Sequence, residues 1–160
     1  MGIKEIQHGN LYEDFEIGRV FKHHWGRTLT EYDGIIFSTT TMNYNPSYFN
    51  AEYARKLGYT GIIINPLLVF NTILGLSVED LSEAGGPFLG VDNVKYYRPV
   101  YPGDTIYSKS VVLSRRLSGS RPGWGIVEWK TTGYNQNGEI VADYCRRNLA
   151  KLRDVQTAKE

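Results

Sequence analysis

Asn65-Pro66-Leu67-Leu68-Val69-Phe70-Asn71-Thr72-Ile73-Leu74-Gly75-Leu76 opens on a helix start and then stays apolar on most of its faces. Asparagine caps a helix N-terminus through its side-chain oxygen, and proline is preset for the first helical position. Leu67, Phe70, Ile73, Leu74 and Val78 recur at spacings of three and four, while Leu68, Val69, Leu76 and Leu81 carry apolar character round to other sides. A helix apolar on most faces is a buried one. The stretch therefore predicts a central helix enclosed by the rest of the chain, and its flanks say what does the enclosing.

Upstream, Thr30 with Asp33 three residues later marks another helix start, followed by Tyr32, Ile35, Ile36 and Thr39 at helical spacing. Asn45-Pro46 predicts a second, short helix whose apolar face is Phe49, Tyr53, Ala54 and Leu57 and whose stop is Gly58. About Val20 to Leu29 reads as a strand. Downstream the period drops to two. Phe88 to Arg98 is a strand stopped by Pro99, and Pro102-Gly103-Asp104 is a turn. After it, Ile106, Ser108, Ser110, Val112 and Ser114 share one strand face. Ile126 to Asn135 pairs with Ile140 to Leu152 through Asn137-Gly138, a strong hairpin signal. The order predicts an α+β fold in which an antiparallel sheet wraps a single helix.

At 160 residues the chain suits one domain, expected over 1–153 with a frayed polar tail at 154–160. Eighteen basic and seventeen acidic residues leave a net charge of +1 without charge blocks, which argues against a nucleic-acid or membrane partner held by bulk charge. No apolar run approaches a membrane span, and the start carries no signal-peptide pattern. The single cysteine, Cys145, excludes an internal disulfide and suits a reducing compartment, so a cytoplasmic protein is expected. His23 and His24, as strand neighbours, would point to opposite faces and could not grip one metal ion. Phosphate-loop, dinucleotide and serine-elbow motifs are absent from the sequence. No metal and no separate cofactor is expected.

Several strings, in order, resemble the MaoC-like dehydratases, which are hot-dog-fold acyl-CoA hydratases. They are Tyr12-Glu13-Asp14-Phe15, Gly26-Arg27-Thr28 with Thr30-Glu31, Met42-Asn43-Tyr44-Asn45-Pro46 and Gly75-Leu76-Ser77-Val78. Then come Pro99-Val100 with Gly103-Asp104-Thr105, Ser120-Arg121-Pro122 with Gly125-Ile126-Val127, and Gly133-Tyr134-Asn135-Gln136. The resemblance runs from Tyr12 to Leu152 and is nearest the branch that includes itaconyl-CoA hydratases. It implies a hot-dog fold, a homodimer or higher homo-oligomer, and reversible addition of water across the double bond of an enoyl-CoA thioester, with coenzyme A part of the substrate.

That reaction needs a base for water, an acid for the α-carbon and a donor for the enolate oxygen. Typical members take acid and base from an Asp-x-Asn-Pro-x-His string, and the oxygen donor from a backbone N–H in a His-Gly pair. Here those positions are Asn43, Tyr48 and Asn65-Pro66. By resemblance Asn43 positions water, Tyr48 donates a proton or hydrogen bond, and Asn45 belongs to the binding string. Pro66 has no N–H, so Asn65 with the Leu67 N–H is expected to hold the thioester carbonyl. Arg98, Arg115, Arg116, Arg121, Arg146 and Arg147 are available for coenzyme A phosphates, with Arg121 the first choice. The departures at Asn43 and Tyr48 keep a non-catalytic acyl-thioester-binding subunit of a hetero-oligomer in view. A thioesterase, which would want a carboxylate near the start of the central helix, ranks behind both.

Overall fold

Helix α1, Glu31–Thr40, begins where the sequence predicts: Thr30 Oγ1 accepts the Asp33 N–H at 3.2 Å and Asp33 accepts the Thr30 N–H at 2.9 Å. Those hydrogen bonds from Thr30, with the Arg27 guanidinium beside them, hold the Asp33 carboxyl below its usual range. The computed structural model describes residues 8–153, and the expected tail at 154–160 lies outside them.

The short strands β1, Val20–Lys22, and β2, Arg27–Thr28, precede α1. A 3₁₀ turn at Pro46–Tyr48, helix α2 at Ala51–Lys56, helix α3 at Pro66–Leu76 and a single turn, α4, at Val78–Leu81 follow it. Four long strands complete the chain: β3, Phe88–Tyr96; β4, Thr105–Leu117; β5, Trp124–Tyr134; and β6, Ile140–Lys151. They pair antiparallel in the order β1-β4-β5-β6-β3, with β2 also on β4. The sheet curls over α3, which is the α+β hot-dog arrangement.

The close fit of helix to sheet has one visible cause. A Cβ at Gly133 would lie 2.2 Å from Ile73 Cδ1, so only glycine lets the end of β5 approach the helix. Val69 and Ile73 of α3 pack with Ile106, Val141 and Tyr144, while Phe70 meets the Tyr144 ring edge-on at 4.9 Å. A second core, built on Phe15, Phe21, Leu81, Val112 and Trp129, fills the same concave face farther along.

Four local expectations are corrected. The helix expected from Asn45 is two pieces: Asn45 caps only the 3₁₀ turn, and Asn50 caps α2 by accepting the Tyr53 N–H at 3.0 Å. Phe49, Tyr53 and Leu57 are exposed there, and only Ala54 is buried. Helix α3 is buried through Val69 and Ile73, whereas Leu67 is 50% exposed and Val78 sits exposed on α4, beyond the break at Ser77. On β4, a register shift between Val112 and Ser114 turns Ser114 outward, although Ile106, Ser108, Ser110 and Val112 face the core as expected. The strand expected over Val20 to Leu29 is interrupted into β1 and β2, and the chain between them carries His23 inward and His24 outward.

Candidate active site at the start of the central helix

Ser38 is the pivot that gathers the expected residues. Its carbonyl accepts the Asn43 N–H at 2.8 Å, and its Oγ accepts from Asn65 Nδ2 at 3.2 Å. The end of α1, the turn after it and the start of α3 therefore meet at one buried serine. Met42, at φ 56°, turns the chain so that Asn43 follows half-buried, and its side-chain amide has no hydrogen bond among the described residues. The next turn is stiffened by Asn45, whose Oδ1 accepts from Ser47 N at 3.1 Å and Ser47 Oγ at 2.8 Å. Ser47 O in turn accepts the Ile63 N–H at 3.2 Å, which seats Tyr48 beside the segment leading into α3.

A cleft of about 280 Å³ opens beside the start of α3, walled by Tyr59, Ile63, Pro66, Val69, Tyr96 and Arg98; Asn43, Asn45 and Tyr48 are not among its lining residues. Its lining is apolar apart from tyrosine hydroxyls and one charged side chain, Arg98. Tyr48 lies close enough to Tyr59 and Tyr96 for charge on one phenol to be felt by the next. Burial, and then the neighbouring Tyr59, pushes the Tyr48 phenol up; burial, and then Tyr48, does the same to Tyr96. Both phenols therefore stay protonated through neutral pH and stand as hydrogen-bond donors.

The expected carbonyl clamp at Asn65 and Leu67 is corrected. Asn65 is 0% exposed, and its Oδ1 accepts the Leu67 N–H at 3.0 Å. Its carbonyl takes the Leu68 and Val69 N–H groups at 2.9 and 3.1 Å. With Pro66 lacking an N–H, every first-turn donor of α3 is absent or engaged. Asn65 is thus the helix cap and the tie to α1, and Pro66 is the part of that trio that borders the cleft.

Arg121 is not brought to the cleft. It follows β4 at the far end of the sheet, where it lies over the Trp124 ring. Trp124 pairs with Lys151, whereas Tyr96 pairs with Ala142, nine residues earlier on β6 and about 30 Å away along the strand. Glu79 and Asp80, the acids nearest α3 in sequence, lie beyond its C-terminal end, not at the start where a thioesterase would want a carboxylate. Asp80 meets His23 at 2.6 Å, and Glu79 meets His24 and the Trp25 indole.

Sequence reasoning passed over Tyr59 and Tyr96 and weighed Arg98 only for phosphate. The available signal was Tyr96-Tyr97-Arg98-Pro99, where a proline-terminated strand end delivers successive polar tips to one rim. Among the described residues no group of His, Cys, Asp and Glu is placed to hold a metal ion, and no helix is long and apolar enough to cross a membrane.

A family model described as mesaconyl-CoA hydratase matches residues 3–159. The chain belongs to the mesaconyl-CoA hydratase family. It is 34% identical over 147 residues to a mesaconyl-CoA hydratase of Haloarcula hispanica, covering 91% of this chain and 41% of that protein. It is 32% identical over 146 residues to a β-methylmalyl-CoA dehydratase of Chloroflexus aurantiacus, with the same two coverages. The chain thus spans about two fifths of the length of these relatives. Among solved structures it resembles a MaoC-domain dehydratase of Chloroflexus aurantiacus, with a TM-score of 0.88 and 28% identity over 99% of this chain and 45% of that one. A MaoC-like dehydratase of Rhodospirillum rubrum, at TM-score 0.81 and 22% identity over 92% of this chain and all of that one, shares the fold.

Proposed function

We propose that this chain adds water to, or removes it from, the 2,3 position of a short enoyl-CoA thioester of the mesaconyl type. The observation that carries the reading is the apolar cleft at the start of α3, bordered by Tyr59 and Tyr96 with Tyr48 near both, in a chain of this family. In the hydration direction, oxygen from water bonds to C3 and a proton reaches C2, with charge building transiently on the thioester oxygen. The Asn43 amide holds the water, and Tyr48 supplies a hydrogen bond or proton toward the polarised thioester. A phenol can serve as such a donor when it is preorganised in a site that excludes water. The reaction calls for no cofactor beyond the coenzyme A of the substrate.

A homodimer or higher homo-oligomer is part of the proposal. Strand β3 is a sheet edge, with Phe88, Leu89, Val94 and Tyr96 exposed, and α3 leaves Leu67 uncovered. Edge strands with apolar side chains are normally paired or covered.

A second reading has its own support. No residue lining the cleft is a carboxylate or imidazole, and Asn43 does not exchange a proton near neutral pH. In this reading the chain binds the thioester as one subunit of a hetero-oligomer, and the missing base comes from the other subunit.

The two are separated with purified protein and crotonyl-, mesaconyl- and itaconyl-CoA. Loss of the conjugated enoyl absorbance, with a mass gain of one water, supports the hydratase. Thermal stabilisation by acyl-CoA without turnover, combined with turnover gained in the double variant Asn43→Asp, Tyr48→His, supports the binding subunit. Neither stabilisation nor turnover with any thioester would sink both.

A further inference from the structure

The cleft is apolar on nearly every side, yet its rim carries a single cation in a fixed position. Arg98 Nε donates to the Ile140 carbonyl at 3.0 Å, and Nη1 forms an ion pair with Glu139. These two contacts tie the guanidinium through two of its three nitrogens to the start of β6 and the turn before it. Among the described residues Nη2 has no partner, and the Arg98 side chain is 40% exposed at the mouth of the cleft. A guanidinium held this way keeps its Nη2 hydrogens to offer and loses little freedom on binding.

We infer that Arg98 is the residue that reads the free carboxylate carried by a mesaconyl-type acyl group and so discriminates against thioesters that lack it. The inference rests on the acyl-CoA reading above and adds the residue that discriminates between substrates. A cleft of about 280 Å³ lies at the small end of ligand sites, so it suits a short acyl group. Inside such a pocket a methyl-terminated chain gains only from the apolar walls. A carboxylate-terminated chain would be costly to bury without a partner, and Arg98 is the only cationic side chain in the lining. Guanidinium and carboxylate match geometrically, and charge-assisted hydrogen bonds between them are about twice as strong as neutral ones. Glu139 has two opposing effects: it fixes the guanidinium in place, and it also neutralises part of the charge that a substrate carboxylate would meet.

The test uses two unreactive thioesters of equal chain length, succinyl-CoA with a terminal carboxylate and butyryl-CoA without one, titrated against the full chain by calorimetry. Wild-type protein is expected to prefer succinyl-CoA. Arg98→Gln should weaken succinyl-CoA by about 10- to 100-fold and change butyryl-CoA by less than about 3-fold. Arg98→Lys, which keeps the charge and loses the fork, should fall between. Glu139→Gln retains the arginine and removes its anionic neighbour, so it should tighten succinyl-CoA; it also serves if Arg98→Gln does not fold. Equal losses for both thioesters in Arg98→Gln, or an unaltered preference in Glu139→Gln, would overturn the assignment while acyl-CoA binding stands. If wild-type protein binds neither thioester, the acyl-CoA reading itself fails and takes this assignment with it.

Discussion

Asn65 holds the Leu67 N–H at 3.0 Å with one end of its amide and Ser38 Oγ at 3.2 Å with the other. One fully buried side chain therefore starts the central helix and moors it to α1, on whose last turn the backbone of Asn43 rests. Asn65→Ala removes the cap and strands a buried hydroxyl, at an expected cost of about 1–3 kcal/mol. Urea denaturation should show a lower midpoint with an unchanged slope. A helix cap predicts that thioester affinity, measured well below the melting temperature, moves much less than stability does. A large loss of affinity with normal stability would return Asn65 to the substrate.

Gly133 gives a second stability prediction that needs no knowledge of the ligand. Its missing Cβ makes room for Ile73, which is fully buried between helix and sheet. Gly133→Ala forces either the isoleucine or the strand to shift, and overpacking of this kind costs about 1–3 kcal/mol. Pairing the change with Ile73→Val should recover part of the loss, because Val lacks the Cδ1 atom that the new methyl would meet first. Thermal melts of both single variants and the double variant give the coupling directly. Simple additivity of the two losses would show that the close approach is not the cause.

What was legible in the sequence is what local chemistry dictates. Thr30 and Asn65 announce their helices because a cap is written in one residue and its neighbours, and β4 and β5 show their alternation because one face is buried. The failures are equally physical. Asn45-Pro46 and Asn50 are competing start signals five residues apart, and the chain uses both, so the expected single helix breaks at Phe49. The bulge that turns Ser114 outward adds one residue to one strand, which leaves no mark in the period-two pattern before it. At the site, the string from Asn43 to Tyr48 is singled out by resemblance and not by any local pattern. The engagement of the Leu67 N–H by its own cap was open to deduction from Asn65, because an asparagine that caps the helix bonds the donor assigned to the substrate. Tyr59 follows α2 whereas Tyr96 and Arg98 stand at the end of β3, and only the folded chain makes the first a neighbour of the other two.

His23 predicts an acid-side loss of stability. It is 2% exposed, with Nδ1 2.6 Å from Asp80 Oδ2, Nε2 2.8 Å from Ser110 Oγ, and Ser110 in turn 2.8 Å from Thr131. Burial lowers its pKa below the usual histidine value; Asp80 opposes that shift, and the nearby Arg146 and His24 add to it. A group whose folded pKa is depressed binds its proton more readily when unfolded. Its contribution is therefore complete above about pH 6.5 and is lost as pH falls through the folded value. Asp14, Asp33 and Glu139, also lowered, act from the ordinary carboxylate range downward, so the interval from about pH 5.5 to 6.5 is the one in which the histidine dominates. Stability measured by denaturant at half-unit steps should fall toward acid in wild-type protein and stay flatter in His23→Gln. Parallel curves would remove His23 as the cause.

Tyr48 yields the prediction that bears most directly on catalysis. Burial and the neighbouring Tyr59 push its phenol above the usual tyrosine value, so it remains a donor until pH rises past about 10. If the chain is a hydratase in which Tyr48 hydrogen-bonds the developing thioester oxygen, Tyr48→Phe should lower kcat/KM by about 10²–10³-fold. The packing of the ring is retained, so the melting temperature should change little. The kcat/KM profile of the wild-type enzyme should show no limb assignable to this group between pH 6 and 9, because the donor does not titrate there. A Tyr48→Phe enzyme with full activity would dismiss the hydroxyl from the reaction. A limb near neutrality that persists in that variant would instead mark a proton-transfer group supplied from outside the Asn43–Tyr48 turn, the behaviour expected when a second subunit completes the site.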